Sequence, residues 1–284
     1  MWIALAIVTA LGFAATNSYA KTLSRSAHIF TVTWAMMLFS LPWALLMLGL
    51  RGMPAIEDGF YLAALGSVTL NMVAVTLQVK ALSISPLSVT VPFLSLTPLF
   101  MLLTSVIVLG ETPDTKGLLG IILIVIGGYT IHLEKMRGGF LAPLKAIGSE
   151  KGSVMMLLVA FLWSWTAAFD KVAVLRSSPA FYTAFFSVAF GVLYLPVLVV
   201  GLRKKSLPGP IVPRLFLLGA FSAAMILSQM SAIELTVASY VIAIKRAGAV
   251  VAVLLGYLFH RERHLAPRIA GAVLMTLGVV LISL

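Results

Sequence analysis

The chain has 284 residues, of which 61% are hydrophobic and only 10% charged, with a mean hydropathy of +1.10. A soluble domain carries about 25% charged residues, so this composition excludes a soluble globular protein. The net charge of +11 does not indicate a nucleic-acid partner, because the basic residues lie mostly in short segments between apolar runs. There they set membrane topology and contact anionic lipid headgroups. The absence of cysteine excludes thiol chemistry and cysteine-ligated metals, and we expect no cofactor or metal.

Apolar runs of about 20 residues recur along the chain, and each is long enough to cross ~30 Å of hydrocarbon as a helix. We therefore predict an all-α integral membrane protein with ten transmembrane helices. The predicted spans are 1–20, 28–49, 57–79, 85–109, 115–133, 153–175, 179–200, 213–235, 238–260 and 265–284.

The longest loop lies at the centre of the chain and contains two consecutive glycines, Gly138 and Gly139, together with Pro143. We interpret residues 138–152 as a linker between two five-helix repeats, 1–137 and 153–284. An odd number of spans in each repeat inserts the two halves in opposite orientations. The predicted architecture is therefore an inverted repeat around a central cavity, which is typical of secondary transporters.

A constant shift of 151 residues relates the two halves without a gap, and the matching positions include polar residues as well as glycines. Gln78, Ala81, Ser88, Glu111, Gly120 and Gly127 recur as Gln229, Ala232, Ser239, Glu262, Gly271 and Gly278. The glycines of each half are seven residues apart on one helix face, a spacing that favours close helix packing.

The ninth predicted span is interrupted by two cations, Lys245 and Arg246. If these lay in a loop, only thirteen residues would remain before His260, too few to cross the membrane. Lys245 is then about 10 Å along the helix from Ala238, well inside the membrane.

With its repeated glutamates and glycines, the sequence resembles the drug/metabolite transporter superfamily, EamA type. The resemblance covers essentially the whole chain and rests on the glutamate-and-glycine pattern that closes each half, and on a tryptophan-rich sixth span. These motifs are Leu109-Gly110-Glu111 with Gly120 and Gly127-Gly128, then Glu262 with Gly271 and Gly278, and Trp163-Ser164-Trp165. His260-Arg261 departs from the usual Leu-Gly before Glu262. The resemblance implies a ten-helix inverted-repeat transporter whose third and fourth helices in each half line the cavity.

Lys245 and Arg246 are the foremost candidates for substrate binding. A cation in hydrocarbon costs at least ~2.5 kcal/mol, so it normally faces a water-filled cavity or a partner. Either cation could bind a carboxylate or phosphate, and arginine suits bidentate capture. The alternative is an internal ion pair with Asp170 or Glu234, residues that could instead serve ion coupling.

Five further residues complete the candidate set. Tyr240, Trp163 and Trp165 could line the cavity, or belong to an aromatic belt at the membrane interface. Gln78 and Gln229, at matching positions, could bind substrate or a neighbouring helix.

The expected function is secondary transport or facilitated passage of a small polar metabolite, with an amino acid or organic anion favoured, by alternating access. A flippase for a lipid-linked group is the alternative, and a membrane-embedded enzyme is less consistent with the residues. We expect a multi-pass protein of a prokaryotic plasma membrane, surrounded by lipid, monomeric or else homodimeric. Basic residues are concentrated in odd-numbered loops, which by the positive-inside rule predicts both termini outside, against the expectation for the family.

Overall fold

The computed structural model describes residues 1–24, 26–85, 91–133, 151–204, 211–248 and 266–284, and all regular secondary structure in these ranges is helical. The α-helices, numbered along the chain, are α1 (Trp2–Leu23), α2 (Ile29–Leu38), α3 (Leu41–Arg51), α4 (Phe60–Ile84), α5 (Thr97–Leu109), α6 (Thr115–Leu133), α7 (Lys151–Leu175), α8 (Pro179–Leu193), α9 (Leu195–Lys204), α10 (Val212–Leu235), α11 (Ala238–Ala247) and α12 (Ala266–Ser283). A 3-10 helix, Val91–Leu96, precedes α5.

Five helical segments of the described chain are long and apolar enough to cross a membrane, or six if one bent pair is counted as a single span. They correspond to predicted spans 1, 2, 3, 6 and 8, and the bent pair corresponds to span 7. Spans 4, 5 and 10 correspond to shorter apolar helices. Large apolar side chains such as Leu62, Leu46 and Ile107 are exposed along these helices, as expected of a surface solvated by lipid.

The ninth predicted span is described only as far as Gly248, so most of it lies outside the described residues, as does Glu262. The count of ten spans therefore stays a prediction.

Predicted spans 2 and 7 are each formed by two helices rather than one. α8 and α9 meet at Tyr194 with a bend of 54°. The break coincides with Pro196, the second residue of α9, which has no N–H to continue the hydrogen-bond ladder. Pro42 occupies the same position in α3, after α2 has ended at Leu38.

The described chain divides into two compact units, and each combines residues from both sequence halves. The first unit contains Met1–Met72 and Phe169–Leu235. The second unit contains Val73–Ala168 and Thr236–Leu284. The division of the chain into repeats 1–137 and 153–284 with a linker at 138–152 is a different, sequence-level description and stays a prediction.

In the first unit, α1 packs along α10, and side-chain hydrogen bonds join helices across the interior. Thr9 on α1 and Ser228 on α10 share a hydrogen bond of 3.0 Å. The Trp34 indole N–H on α2 donates to the Gly191 carbonyl oxygen at 2.9 Å. Gly191 lies in the last turn of α8, where helix carbonyls have no intrahelical partner. A buried apolar cluster that includes Val32, Leu215 and Leu218 fills the space between α1, α2 and α10.

In the second unit, α6 and α12 pack closely through their glycines. A Cβ built on Gly120 would lie 2.6 Å from the Gly278 carbonyl oxygen, and one on Gly127 would lie 2.6 Å from that of Gly271. Real Cβ atoms essentially never approach other atoms this closely, so only glycine allows this contact. Because the earlier glycine of α6 meets the later glycine of α12, the two helices run antiparallel.

Candidate functional site

The second unit holds Arg246 in a defined position between an aromatic ring and a hydroxyl group. The guanidinium carbon lies 5.1 Å from the centroid of the Trp163 ring. Its Nη2 donates to the Thr97 hydroxyl oxygen at 3.2 Å. Together these two contacts orient the guanidinium. A cation over an aromatic face within about 6 Å is attracted by the ring quadrupole.

Local contacts fix the positions of Thr97 and Trp163, the two neighbours of Arg246. Thr97 is the first residue of α5, where the chain leaves the 3-10 helix, and Pro98 at this first turn needs no intrahelical N–H partner. The Thr97 hydroxyl donates to the Leu94 carbonyl at 2.7 Å, so its oxygen points a lone pair at Arg246. Trp163 is half-buried and packs against a cluster that includes Phe93 and Met156.

Lys245 precedes Arg246 in the last turn of α11, and both side chains are half-buried. Cations at a helix C-terminus are stabilised by the helix dipole. The helix dipole therefore stabilises both cations at this position whether or not a substrate is bound.

Tyr240, predicted to line a cavity or to belong to an aromatic belt at the membrane interface, is hydrogen-bonded to the turn between α5 and α6. Its hydroxyl donates to the Asp114 carboxylate at 2.7 Å and accepts from the Asp114 amide at 3.1 Å. Asp114 also caps α6, because the Gly117 amide donates to its carboxylate at 2.8 Å. The Tyr240 hydroxyl and the Gly117 amide hold the pKa of the Asp114 carboxyl below its ordinary value of 3.8.

The same turn makes a second contact with α11. The Glu111 carboxylate accepts from the Ala238 amide at 3.2 Å, at the first residue of that helix. A carboxylate at a helix N-terminus satisfies an amide that has no intrahelical acceptor. This carboxylate therefore connects the turn between α5 and α6 to the first residue of α11.

Trp165 and Gln78 are the other candidates of the second unit. Trp165 packs edge-on against Phe161, at 6.3 Å between ring centroids, one turn away on its own helix. Gln78 is half-buried on α4.

The first unit contains a separate polar cluster around Asp170. The Ser67 hydroxyl on α4 and the Tyr182 hydroxyl on α8 both donate to Oδ1 of this carboxylate. Asn71, one turn beyond Ser67, donates to the Ser67 hydroxyl oxygen at 3.3 Å. Asp170 is 6% exposed, and both hydroxyl-bearing residues are fully buried. Lys171, the next residue, is also buried.

The remaining two candidates lie on α10 of the first unit. Gln229 is buried, whereas Glu234 is exposed near the end of the helix.

Four of the partners are absent from the sequence-based candidates: Thr97, Ser67, Tyr182 and Asp114. Only the last two carry a local signal. Asp114 stands where an N-cap residue is expected before an apolar run. Ser178 accepts from the Phe181 amide at 3.2 Å and Pro179 opens α8, a helix start that places Tyr182 one turn into the helix. Thr97 and Ser67 are ordinary small polar residues of apolar helices and carry no such signal.

The fold and composition define a multi-pass integral membrane protein, and comparison with known proteins specifies the family. The model of the EamA-like transporter family matches residues 1–133 and 150–284. The chain belongs to this family, within the drug/metabolite transporter superfamily.

Two further comparisons bear on the chain. No curated protein matches its sequence. A solved structure, described as a crystal structure of a protein, superposes with a TM-score of 0.75 and 15% sequence identity. The match covers 99% of this chain and 94% of the chain in that structure. That likeness concerns the fold alone.

Proposed function

We propose that this protein is a secondary transporter of small polar metabolites carrying an anionic group, an amino acid or organic anion, and that Arg246 binds the anionic group. The proposal is carried by the position of Arg246 over Trp163 and beside Thr97. Keeping a cation within an apolar helical protein is costly, and the contacts with Trp163 and Thr97 orient this one. A guanidinium presents paired N–H donors that match the geometry of a carboxylate.

Comparison of the repeats supports the choice of this cation. The shift of 151 residues that matches the glutamates and glycines aligns Lys245 and Arg246 with Leu94 and Ser95. The first half therefore has no cation at the corresponding positions. A residue required only by the repeated fold would be expected in both halves, so a charge present in one half favours a role in substrate recognition.

The proposed mechanism is alternating access by two inverted five-helix repeats. Its support is the antiparallel packing of α6 and α12, which close the two predicted repeats and meet through equivalent glycines. Equivalent helices that run in opposite directions are what an inverted repeat requires.

The test is uptake of labelled L-alanine, L-glutamate, lactate and succinate into proteoliposomes containing the purified protein. Arg246→Ala should reduce uptake of the transported compound at least about tenfold, since removing one partner of a buried, hydrogen-bonded charge pair, here the guanidinium and the bound anion, costs roughly 2–5 kcal/mol. Arg246→Lys should recover only part, because lysine lacks the planar donor pair. Arg51→Ala, an exposed cation at the end of α3, is the matched control. Uptake by Arg246→Ala at the wild-type rate for every transported compound would refute the assignment.

A further inference from the structure

The Asp170 cluster of the first unit has a composition that the anion site does not explain. A carboxylate, two hydroxyls and a carboxamide come together from three helices, α4, α7 and α8, in the interior of an apolar segment. Burying a carboxylate is costly unless it is hydrogen-bonded, and acidic residues inside transmembrane helices mark ion or proton pathways. We propose that Asp170, with Ser67 and Tyr182, forms a proton-binding site that couples transport to a proton gradient.

The arrangement of donors supports exchange of a proton. Both hydroxyls donate to the same carboxylate oxygen, Oδ1, and so stabilise the charged form through two hydrogen bonds. A hydroxyl group can rotate and accept as well as donate. When Asp170 is protonated, the Ser67 and Tyr182 hydroxyl groups can therefore rotate, each to accept a hydrogen bond or to donate one to another acceptor. Neither hydroxyl oxygen then has to lose its hydrogen bonds.

The charged and titratable neighbours fit this role. Lys171 follows Asp170 on α7 and is also buried, and Tyr182 is the titratable group contributed by α8. The residues of α4 in the cluster, Ser67 and Asn71, are uncharged. Arg176, further along the chain, donates instead to the Asp58 carbonyl oxygen. Neutralising Asp170 beside Lys171 changes the net charge of this adjacent pair by one unit, which is the kind of change that can bias a two-state transporter.

The aromatic surroundings of Tyr182 limit access of water from its side of the cluster. Its ring meets those of Phe60 and Phe186 edge-on, at centroid distances of 6.5 and 6.0 Å. Phe186 continues into a stack with Phe190 at 5.8 Å. In such low-polarity surroundings the charge state of one carboxylate has a larger energetic effect than at a hydrated surface.

The coupling role rests on the proposed transport function, but proton binding can be measured without any substrate. The experiment is an infrared pH titration of the protein in liposomes, with protons as the only probe, following the C=O band of a protonated carboxyl group. Asp170→Asn should remove one such band, whereas Asp58→Asn, the same change at an exposed loop carboxylate, should retain it. Ser67→Ala and Tyr182→Phe should retain the band and shift the pH of its appearance by about one unit, the effect of one hydrogen bond to a charged group.

A titration in which Asp170→Asn and wild type give the same bands would overturn the proton site, whatever the transport assays show. If Asp170→Asn fails to fold, the unshifted titration of both Ser67→Ala and Tyr182→Phe would overturn it equally. For a compound transported by the wild type, Asp170→Asn should keep substrate exchange and lose accumulation driven by a pH gradient. Retained accumulation would refute the coupling role while leaving the Arg246 assignment intact.

Discussion

The guanidinium carbon of Arg246 lies 5.1 Å from the centroid of the Trp163 ring. This pair joins α11 to α7 within the second unit, and it combines a cation that the sequence singles out with an aromatic ring whose face holds it. The sequence places both residues among the candidates but does not pair them, because they are 83 positions apart and their meeting depends on helix packing.

The first prediction concerns this ring. Trp163→Leu should raise the apparent KM for the transported carboxylate about 2- to 30-fold, because a cation–π contact contributes roughly 0.5–2 kcal/mol. Trp163→Phe keeps an aromatic face and should lose less. Proteoliposome uptake over a range of substrate concentrations measures the effect. Trp43→Leu, at a partly exposed tryptophan of α3, controls for loss of a large ring. Equal KM values for all three variants and wild type would contradict the contact's role.

The second prediction concerns the packing of α6 against α12. Gly120→Ala and Gly278→Ala should each lower the free energy of unfolding by about 1–3 kcal/mol, because the added methyl group meets a backbone carbonyl of the facing helix. Thermal unfolding in detergent provides the measurement. Gly49→Ala is the matched control, since a Cβ there has no neighbour within 4 Å. Destabilisation by the control equal to that of the paired glycines would show that the contact is not the cause.

The third prediction concerns the pH dependence of the contact between Tyr240 and Asp114. The pKa of Asp114 is lower in the folded protein than its ordinary value of 3.8, so the carboxylate contributes stability above pH 3.8. That contribution is lost as pH falls through the folded-state pKa. Tyr240→Phe removes the main cause of the lowered pKa, the hydrogen bond donated by Tyr240.

The variant should therefore melt below the wild type at neutral pH, and the difference should narrow as the pH falls below 3.8. Thermal unfolding of both proteins in matched buffers checks this, and Tyr61→Phe, at an exposed tyrosine of α4, is the control. A difference in melting temperature that stays constant with pH would mean that the hydroxyl does not act through Asp114.

The fourth prediction concerns the hydrogen bond between α2 and α8 made by Trp34. Trp34→Phe keeps an aromatic ring but removes the N–H that donates to the Gly191 carbonyl. It should lower the free energy of unfolding by about 0.5–1.5 kcal/mol, the net value of one hydrogen bond. Chemical unfolding in detergent measures this, with Trp43→Phe as the control at a partly exposed position. Identical losses for the two variants would indicate a packing effect rather than the hydrogen bond.

The helix positions were largely predictable, and the exceptions have local causes. α6 begins where the sequence predicts, at 115, because Asp114 supplies a capping carboxylate, and the largely apolar run that follows is helical through Leu133, the last residue described before 151. The bend at Tyr194 was missed, although Pro196 marks it, because hydropathy is insensitive to a break inside an apolar run. Lys245 and Arg246 lie in the last turn of α11, and their position inside the membrane stays a prediction.

Composition and hydropathy alone are sufficient to establish a membrane protein, because transfer of apolar segments into lipid depends on the residues themselves and not on their neighbours. The duplicated glutamates and glycines were likewise visible in the chain and pointed to the family. The partners of the charged groups were decided by packing: Thr97 and Trp163 for Arg246, and Ser67 and Tyr182 for Asp170. Hydrogen bonds and ring contacts act over a few ångströms, so which residues make them depends on how distant helices come together, and the linear chain does not contain that information.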